Sequence, residues 1–344
     1  MSAERERAEK LIHDSLVWDM TLPGMFSDLN DIGTLDRYLA AGYGFVSITV
    51  GNDSVWNPDV VSQRLSRITT TLQQQAGKLA IVRDPSDIQA AQAQGKLAVS
   101  FNLQGTNGLA GDLSRVEQFR RLGVTHMLLA YNGKNAVGDG CAERTDAGLS
   151  RFGIRLIEEM NRVGMIVDGS HCGYRTTMEA IEVSEAPFIF SHSNAFGVFP
   201  HYRNIRDDQI EACAKTDGVV GVNGVGEFLS DIGDASAEAI FRHIDYLAEL
   251  VGAQHVGLGF DFITHIERFA EMARKSAEQW PSNDGKQVSF ENFAPPEIVF
   301  PVVELMCRHQ YGDEDVRGVL GGNFMRVFSK VVDGSVAAGK RGGA

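Results

Sequence analysis

Polar side chains that could do chemistry follow six short apolar runs of this 344-residue sequence, each at the point where the run ends. They are Asp19, Gln104 in FNLQG, Tyr131 in LLAYN, His171 in VDGSHCG, His192 in FIFSHSNA and Asp261 in GLGFDF. A single histidine after a strand is commonly a hydrogen-bonded structural residue, but two histidines in matching Ser-His contexts favour a metal or catalytic role. Neutral imidazole is the commonest nitrogen ligand of zinc. We therefore predict that His171 and His192 bind one metal ion.

Two further residues could act on a substrate beside such an ion. Asp261 alone could cap a helix or lie in a loop, but opposite two histidines it could be a general base or orient a water molecule. Arg203, in HYRNIRDDQI, follows His192 by eleven residues and precedes Asn204. An arginine near a metal can clamp a substrate carboxylate through two parallel hydrogen bonds, whereas a surface salt bridge with Asp207 or Asp208 is the alternative.

These residues can converge only if the strands that carry them run parallel. Apolar runs without polar alternation predict eight strands buried on both faces, at 16–19, 45–50, 97–103, 126–131, 165–169, 188–191, 218–223 and 255–260. Helical patterns lie between them, at 113–122, 149–163 and 235–251, each followed by glycine. Eight successive strand–helix units favour a (β/α)8 TIM barrel over a doubly wound sheet, with the chemistry at the carboxyl ends of the strands.

Three segments lie outside this repeat. A short run at 79–82 predicts an extra strand between the second and third, and the polar segment 263–296 predicts a long loop or helical insertion after the eighth strand. Helices at 297–310 and 313–332 would close the barrel. We expect residues 1–344 to form a single domain.

The composition excludes some classes of binding partner and favours one cellular compartment. With 45 acidic and 32 basic residues the net charge is −13, which argues against nucleic acid or an anionic membrane as a partner. No apolar run is long enough to span a membrane, and the start MSAERERAEK lacks the apolar core of a secretory signal. Four scattered cysteines without a CxxC pair favour the cytoplasm. A homodimer is consistent with a barrel, although no pattern locates an interface.

The sequence resembles the membrane (renal) dipeptidase family of zinc peptidases, among the amidohydrolase-like metal barrels. The matching stretches are VDGSHCG, PFIFSHSNA, HYRNIRDDQI, HVGLGFDF and GGNFMRVF. The resemblance implies a barrel that hydrolyses dipeptides, some of them dehydropeptides or β-lactams, with two zinc ions. It makes His171 and His192 metal ligands, Arg203 the carboxylate clamp with Asn204 beside it, and Asp261 the acid–base group.

The departures from this family all concern the other zinc ion. The first-strand stretch VWDMTLP has no H-x-D pair: one register puts Asp19 and Thr21 there, and a shifted register puts Asp19 before the pair. The bridging glutamate aligns with Gln104, and a substrate-contacting histidine aligns with Tyr131. Two neighbouring dications need negative charge, which an amide does not supply. We therefore predict one zinc ion at most, on His171 and His192 with Asp19 or Gln104. If two ions bind, another group such as Cys172 or Asp139 must replace the carboxylate.

Three functions fit these residues. The leading hypothesis is a dipeptidase-like hydrolase whose substrate is small, carries a free carboxylate at Arg203 and contains an amide bond. A metal-poor relative that binds a peptide-like ligand without hydrolysing it is the alternative from another class. A third reading is a metal-dependent enzyme for a different reaction, such as lactone or other amide hydrolysis, in which Tyr131 changes specificity.

Overall fold

Nine parallel strands build the centre of the molecule in a computed structural model, which describes residues 2–24, 33–55, 57–283, 285 and 288–341. The strands are β1 (Val17–Pro23), β2 (Tyr43–Asn52), β3 (Leu79–Ile81), β4 (Leu97–Gln104), β5 (Val124–Leu128), β6 (Ile166–Asp168), β7 (Phe188–Phe190), β8 (Val219–Val222) and β9 (Val256–Leu258). Eight of them follow one another in the order β1-β2-β4-β5-β6-β7-β8-β9, and β3 pairs with β4 outside this path. The predicted (β/α)8 barrel is confirmed.

Hydrogen bonds across the seam between β1 and the end of β9 bring the barrel close to full closure. The backbone N–H of Asp261 donates to the carbonyl of Thr21 over 3.2 Å, and the N–H of Phe260 donates to the Asp19 carboxylate over 3.0 Å. The first and last predicted site residues therefore lie side by side at this seam.

Helices connect the strands and surround the barrel. They are α1 (Ala3–His13), α2 (Gly33–Ala40), α3 (Pro58–Gln73), α4 (Pro85–Ala93), α5 (Ser114–Arg121), α6 (Arg151–Val163), α7 (Tyr174–Val183), α8 (Asp207–Lys215), α9 (Gly226–Leu229), α10 (Ala237–Val251), α11 (Ile266–Lys275), α12 (Val299–Arg308), α13 (Asp313–Arg317) and α14 (Asn323–Arg341). Local signals set their ends: the Ser150 hydroxyl caps α6, and Gly164 ends it in the left-handed conformation at φ 72°. None of the described helices is both long and apolar enough to cross a membrane.

The amino-terminal end of the barrel is filled by apolar side chains, which leaves the carboxyl end for chemistry. Trp18 stacks on Phe45 with ring centres 3.6 Å apart, and Phe324 of α14 lies 6.2 Å from Trp18 on the same side. This packing confirms that the final helix closes the barrel.

The predicted boundaries were less accurate than the predicted elements. The run 79–82 does form a strand, β3, and the segment 263–296 contains helix α11. The prediction that the fourth barrel strand reaches Tyr131 is wrong, because β5 ends at Leu128. Beyond that point side chains, and not a neighbouring strand, accept the backbone N–H groups. The N–H of Ala130 donates to the Cys172 sulfur, and the N–H of Tyr131 donates to the Asp53 carboxylate. Tyr131 therefore lies in a loop at the rim.

The predicted helices 297–310 and 313–332 are also shorter or broken. Helix α12 begins at Val299, and a π-turn at Gly318–Gly322 separates α13 from α14.

Candidate active site at the carboxyl ends of the strands

His171 and His192 meet at the carboxyl end of the barrel. His171 follows β6 in the left-handed conformation, φ 67°, and His192 follows β7. Their ring centres are 4.9 Å apart, and both rings are buried. The Nε2 atom of each ring has no hydrogen-bond partner among the described residues. Two imidazoles that share one tetrahedral zinc ion have ring centres about 5 Å apart, so the observed spacing suits one ion.

The second nitrogen of each ring determines how Nε2 can act. His171 Nδ1 lies 2.6 Å from the side-chain oxygen of Asn132, which only accepts, so Nδ1 carries the hydrogen and Nε2 keeps its lone pair. His192 Nδ1 lies 2.7 Å from the Ser191 hydroxyl and 3.2 Å from that of Thr21. Burial, reinforced by the nearby Arg203 guanidinium, holds the pKa of both histidines well below its usual range. Both rings are therefore neutral, as metal ligands must be.

Arg203 is a buried cation beside these rings, with 2% of its surface exposed. One Nη2–H donates to the carbonyl of His192 over 3.3 Å, and the guanidinium lies 5.2 Å from the ring centre of Phe228. Within the described part of the chain, its guanidinium forms no ion pair with a carboxylate and its Nε has no acceptor. A charge buried without a partner is costly, so this site is suited to an anion.

The salt bridges that offered an alternative role for Arg203 are not formed. The carboxylate of Asp207 accepts the hydroxyl of Tyr246 at 2.9 Å, and that of Asp208 accepts the hydroxyl of Tyr174 at 2.6 Å. Both carboxylates are therefore used on the outer surface, away from the buried guanidinium.

Asp261 presents a carboxylate at the same rim. It follows β9 in the left-handed conformation, φ 59°, and Asn223 donates to its Oδ2 over 3.5 Å. Its Oδ1 is buried without a hydrogen-bond partner among the described residues. Burial raises the pKa of Asp261 to about 6, although the charge of Arg203 opposes the rise. A carboxyl group with this pKa can exchange a proton near neutral pH.

Both carboxylate oxygens of Asp19 accept hydrogen bonds within the protein. Its Oδ1 accepts the backbone N–H groups of Thr21 and Phe260, at 3.1 and 3.0 Å, and its Oδ2 accepts the Tyr38 hydroxyl at 2.9 Å. Burial raises the pKa of Asp19 to about 7, against the effect of these hydrogen bonds. The geometry favours a brace at the barrel seam over the predicted role as a metal ligand.

Gln104 and Tyr131 also line the mouth of the barrel. Gln104 ends β4, and its buried Nε2 has no hydrogen-bond partner among the described residues. Tyr131 stacks on His171 with ring centres 4.2 Å apart, and it meets the edge of Trp280 at 5.9 Å. Both residues are placed where a substrate could contact them.

Aromatic side chains from the insertion and from α9 cover this mouth. The apolar lining consists of Pro23, Val225, Phe228, Ile263, Phe269, Trp280, Phe290 and Phe293. Trp280 also lies 6.1 Å from His171, ring centre to ring centre. The predicted insertion after the last strand therefore supplies part of the wall of the site.

Asn204 supports the loop that carries Arg203. Its side-chain amide donates to the carbonyl oxygens of Phe199 and Phe228, at 2.9 and 2.8 Å, while its Oδ1 has no partner among the described residues. The backbone N–H of Arg203 donates to His201 Nδ1 over 3.1 Å. The Nδ2 atom of Asn204 therefore holds the structure of the loop. Its Oδ1 is the atom left for the predicted substrate contact, among the described residues.

Cys172 and Asp139, the two groups predicted as replacement ligands for a second ion, make their contacts elsewhere. The sulfur of Cys172 contacts the backbone of Ala130. Asp139 accepts the Thr145 hydroxyl at 2.7 Å and pairs with Lys134 at 3.2 Å. Over the described residues, no group of three or more His, Cys, Asp or Glu side chains is arranged to hold an ion. The residues present therefore suit one ion on two imidazoles and do not suit a pair.

Asp53 holds several loops of the site in place, a role that was not predicted from the sequence. It is buried just beyond β2 and accepts the backbone N–H groups of Thr106, Asn107 and Tyr131, at 2.8 to 2.9 Å, together with the side-chain amide of Asn135 at 2.8 Å. One carboxylate thereby ties the loops after β2, β4 and β5. No local sequence pattern predicts this role of Asp53, because its hydrogen-bond partners lie 53 to 82 residues away in the chain.

Comparison with known sequences finds a matching family model and similar proteins. The family model for membrane dipeptidase, peptidase family M19, matches residues 27–278. An uncharacterized dipeptidase of Schizosaccharomyces pombe is 32% identical over 249 residues, which are 71% of this chain and 55% of that protein. A second uncharacterized dipeptidase of the same yeast is 38% identical over 209 residues, 57% of this chain and 51% of that protein. The chain thus spans about half the length of these curated relatives.

Solved structures share the fold over nearly the whole chain. An amidohydrolase from Pseudomonas aeruginosa has a TM-score of 0.84 at 29% identity, covering 95% of this chain and 99% of that one. A metallo peptidase from Rhodobacter sphaeroides, solved with a phosphinate mimic of the dipeptide L-Ala-D-Ala, has a TM-score of 0.76 at 20% identity and covers 92% of this chain and 100% of that one. Because the family model matches most of the sequence, the chain belongs to the membrane dipeptidase family, peptidase family M19.

Proposed function

We propose that the protein is a zinc-dependent hydrolase that cleaves the amide bond of a dipeptide or a similar small substrate with a free carboxylate. The observation that carries this proposal is the buried guanidinium of Arg203, which has no carboxylate partner among the described residues and lies beside two neutral histidines. A binding site for an anion next to a binding site for a metal suits a substrate that carries a carboxylate close to the bond to be broken.

Each residue of the rim has a part in this reaction. A zinc ion bound by His171 and His192 would lower the pKa of a bound water molecule to near neutrality. Arg203 holds the substrate carboxylate and fixes the position of the amide bond. Asp261, with its pKa of about 6 and a free Oδ1, accepts the proton of the attacking water and passes it to the leaving amine.

The remaining mouth residues select the substrate. Tyr131 and Trp280 offer aromatic surfaces beside His171, so we propose that the substrate carries an apolar side chain there. Gln104 is neutral, and we propose it as the third contact of the ion or as a hydrogen-bonding group for the substrate. We propose one zinc ion, since both oxygens of Asp19 already accept hydrogen bonds and Gln104 brings no charge.

A second candidate function is binding without hydrolysis. It is favoured by one observation, that the described residues offer two histidines and no third strong ligand. In that case the anion site at Arg203 would still bind a peptide-like carboxylate, and the protein would retain the family's fold without its reaction.

Metal analysis combined with a hydrolysis assay separates these candidates. The protein, purified without added zinc and again with it, is tested on dipeptides with apolar residues and on the same dipeptides amidated at the carboxyl terminus. Hydrolysis of the free dipeptides with one zinc per chain supports the enzyme, and amidation should suppress it. A His171→Ala/His192→Ala variant is the matched control. Absence of zinc and of hydrolysis, with binding of dipeptides retained, would support the second candidate.

The cellular setting is also a proposal. Cys141, Cys172, Cys213 and Cys307 are all free thiols, and a reducing compartment such as the cytoplasm keeps them so. The homodimer stays a prediction, which analytical ultracentrifugation of the purified chain would test.

A further inference from the structure

We propose that His201 and Tyr202 join Arg203 in one anion-binding turn, in which the His201 Nε2–H, the Tyr202 hydroxyl and the Arg203 guanidinium all donate to the carboxylate of the substrate. The inference rests on the proposed function in taking the bound anion to be the substrate carboxylate. It adds two specificity-determining residues to Arg203.

The three residues lie in one tight turn. The backbone N–H of Asn204 donates to the carbonyl of His201 over 2.9 Å, which closes the turn around Tyr202 and Arg203. The ring centre of His201 lies 4.5 Å from that of Tyr202 and 5.1 Å from that of Phe228. The guanidinium of Arg203 lies 5.2 Å from the same Phe228 ring. The three side chains are therefore packed together around one aromatic residue.

The same turn forms part of the wall of a cavity beside the predicted metal ligand. The cavity has a volume of about 220 Å³, and all four residues 201–204 line it together with His171. A group bound by the turn would therefore lie close to the rim where the proposed reaction takes place.

Each of the three side chains has a buried donor atom without an acceptor among the described residues: His201 Nε2, Tyr202 Oη and Arg203 Nε. His201 Nδ1 accepts the backbone N–H of Arg203 at 3.1 Å, so a neutral ring carries its hydrogen on Nε2. Burial lowers the pKa of His201 to about 3, which keeps the ring neutral, and raises the pKa of Tyr202, which keeps the hydroxyl protonated. A buried donor without an acceptor is costly, and three in one turn indicate that a ligand supplies the acceptor.

A carboxylate matches these donors in charge and in number. Its two oxygens offer about four lone-pair positions, enough for the guanidinium and two neutral donors. Its negative charge offsets that of Arg203, which is buried without an ion pair among the described residues. A cation or an amino group would bring donors to a place that already has them.

The carboxylates nearby are used in other contacts. Glu143 and Asp146 line the same cavity, and each accepts a backbone N–H, at 2.8 and 2.9 Å. Glu227 lines a neighbouring cavity together with His201, but it accepts the N–H and the hydroxyl of Ser289, each at 3.2 Å. Among the described residues, the turn therefore has donors and no acceptor of its own for them.

Two conservative substitutions remove one donor each. Tyr202→Phe keeps the ring and loses the hydroxyl. His201→Asn keeps a side-chain acceptor for the N–H of Arg203 and loses the Nε2–H donor. Each variant should bind a free carboxylate about tenfold more weakly, as expected for the loss of a hydrogen bond to a charged group. The Tm of Tyr202→Phe should stay unchanged or rise, because the hydroxyl has no partner among the described residues.

Tyr311→Phe is the matched control. Its hydroxyl donates to Asp245 over 2.7 Å, so its removal should lower the Tm and leave binding unchanged. Binding is measured by calorimetric titration of the full chain, treated with a chelator to prevent hydrolysis, with leucyl-alanine and with leucyl-alanine amide. We expect the unmodified protein to bind the free dipeptide at least tenfold more tightly than the amide. Tyr202→Phe and His201→Asn should weaken binding of the free dipeptide and leave the affinity for the amide unchanged.

Equal affinity of the unmodified protein for both compounds, or binding of neither, would overturn the proposal. Unchanged affinity for the free dipeptide in either folded variant, an equal loss for the amide, or a lower Tm of Tyr202→Phe would also overturn it. A protein with the expected preference and losses that neither binds zinc nor hydrolyses dipeptides would refute the proposed function and leave this inference standing.

Discussion

Replacing Asp261 with asparagine is expected to stabilise the metal-free protein increasingly as pH rises above about 4 and to slow hydrolysis strongly. The carboxyl group is buried, its Oδ1 has no partner among the described residues, and burial raises its pKa to about 6 from an ordinary value of 3.8. Ionisation of Asp261 therefore costs more in the folded protein than in the unfolded chain. Asparagine has the same shape, carries no charge and tolerates the left-handed backbone at this position, φ 59°.

The size and the pH range of the effect follow from this pKa. A rise to about 6 corresponds to about 3 kcal/mol of stability, since one pKa unit is about 1.4 kcal/mol. Because the pKa is raised on folding, the stability is fully present below pH 3.8 and is lost as pH rises through 6. The advantage of Asp261→Asn in the free energy of unfolding should therefore grow from about 1 kcal/mol at pH 4.5 to about 3 kcal/mol at pH 7.5.

Thermal unfolding in the presence of a chelator measures this difference. For a chain of this length, 1 kcal/mol shifts the Tm by about 1.4 °C, so we expect an increase of about 4 °C at pH 7.5 and of about 1.4 °C at pH 4.5. Glu185→Gln removes an exposed carboxylate in the same way and should leave the Tm unchanged at both pH values. In the zinc-loaded protein, Asp261→Asn should lower kcat by about 10²- to 10⁴-fold with little change in KM. A Tm that is unchanged or lower at pH 7.5, or a shift independent of pH, would refute the reasoning.

Three other outcomes follow from the same geometry. Arg203→Lys keeps the charge but loses the planar guanidinium, so KM for a carboxylate substrate should rise about tenfold with little change in Tm; a large loss of Tm with unchanged KM would instead indicate a structural role. Metal analysis should find at most one zinc per chain in the unmodified protein and in Gln104→Glu, whereas two well-occupied ions in the former would contradict the charge argument. Gly259→Ala should lower the Tm by many degrees, because its Cβ would lie 1.9 Å from the carbonyl oxygen of Ser191; Gly77→Ala, with no atom within 4 Å, is the control.

The elements of the barrel could be predicted from the sequence because parallel strands that are buried on both faces leave an unbroken apolar signature. Ends were harder to predict, since they depend on contacts that are distant in sequence. Tyr131 shows the reason: its run continues as apolar residues, yet Asp53, 78 residues away, takes its backbone N–H and ends the strand early. A local pattern cannot reveal such an acceptor.

The residues of the candidate site likewise fall into those that the sequence could predict and those that it could not. His171, His192 and Asp261 could be found by reading the residue after each strand, because the carboxyl ends of parallel strands meet at one rim. Asn132 accepts a hydrogen bond from the His171 ring, and Asp168 accepts the backbone N–H groups of Ser170 and Ser191, so neither their type nor their position in the sequence predicted these contacts. Asn132 directly follows Tyr131 and Asp168 lies three residues before His171, and only the folded chain shows what they contact.

The proposal of a single metal ion rests on the charges at this rim. The two histidines are neutral, Asp19 has both oxygens engaged, and Gln104 stands where a bridging carboxylate would be needed. The negative charge available to a ligand is that of Asp261, beside the positive charge of Arg203. With Asp19 protonated, as its raised pKa of about 7 allows, and a substrate carboxylate bound, one zinc ion would leave a single excess positive charge in this buried region, and a second ion would leave three. Uncompensated charge is costly where water is excluded. The neutral amide at Gln104 and the hydrogen-bonded carboxyl at Asp19 thus both favour the proposed single ion over a pair.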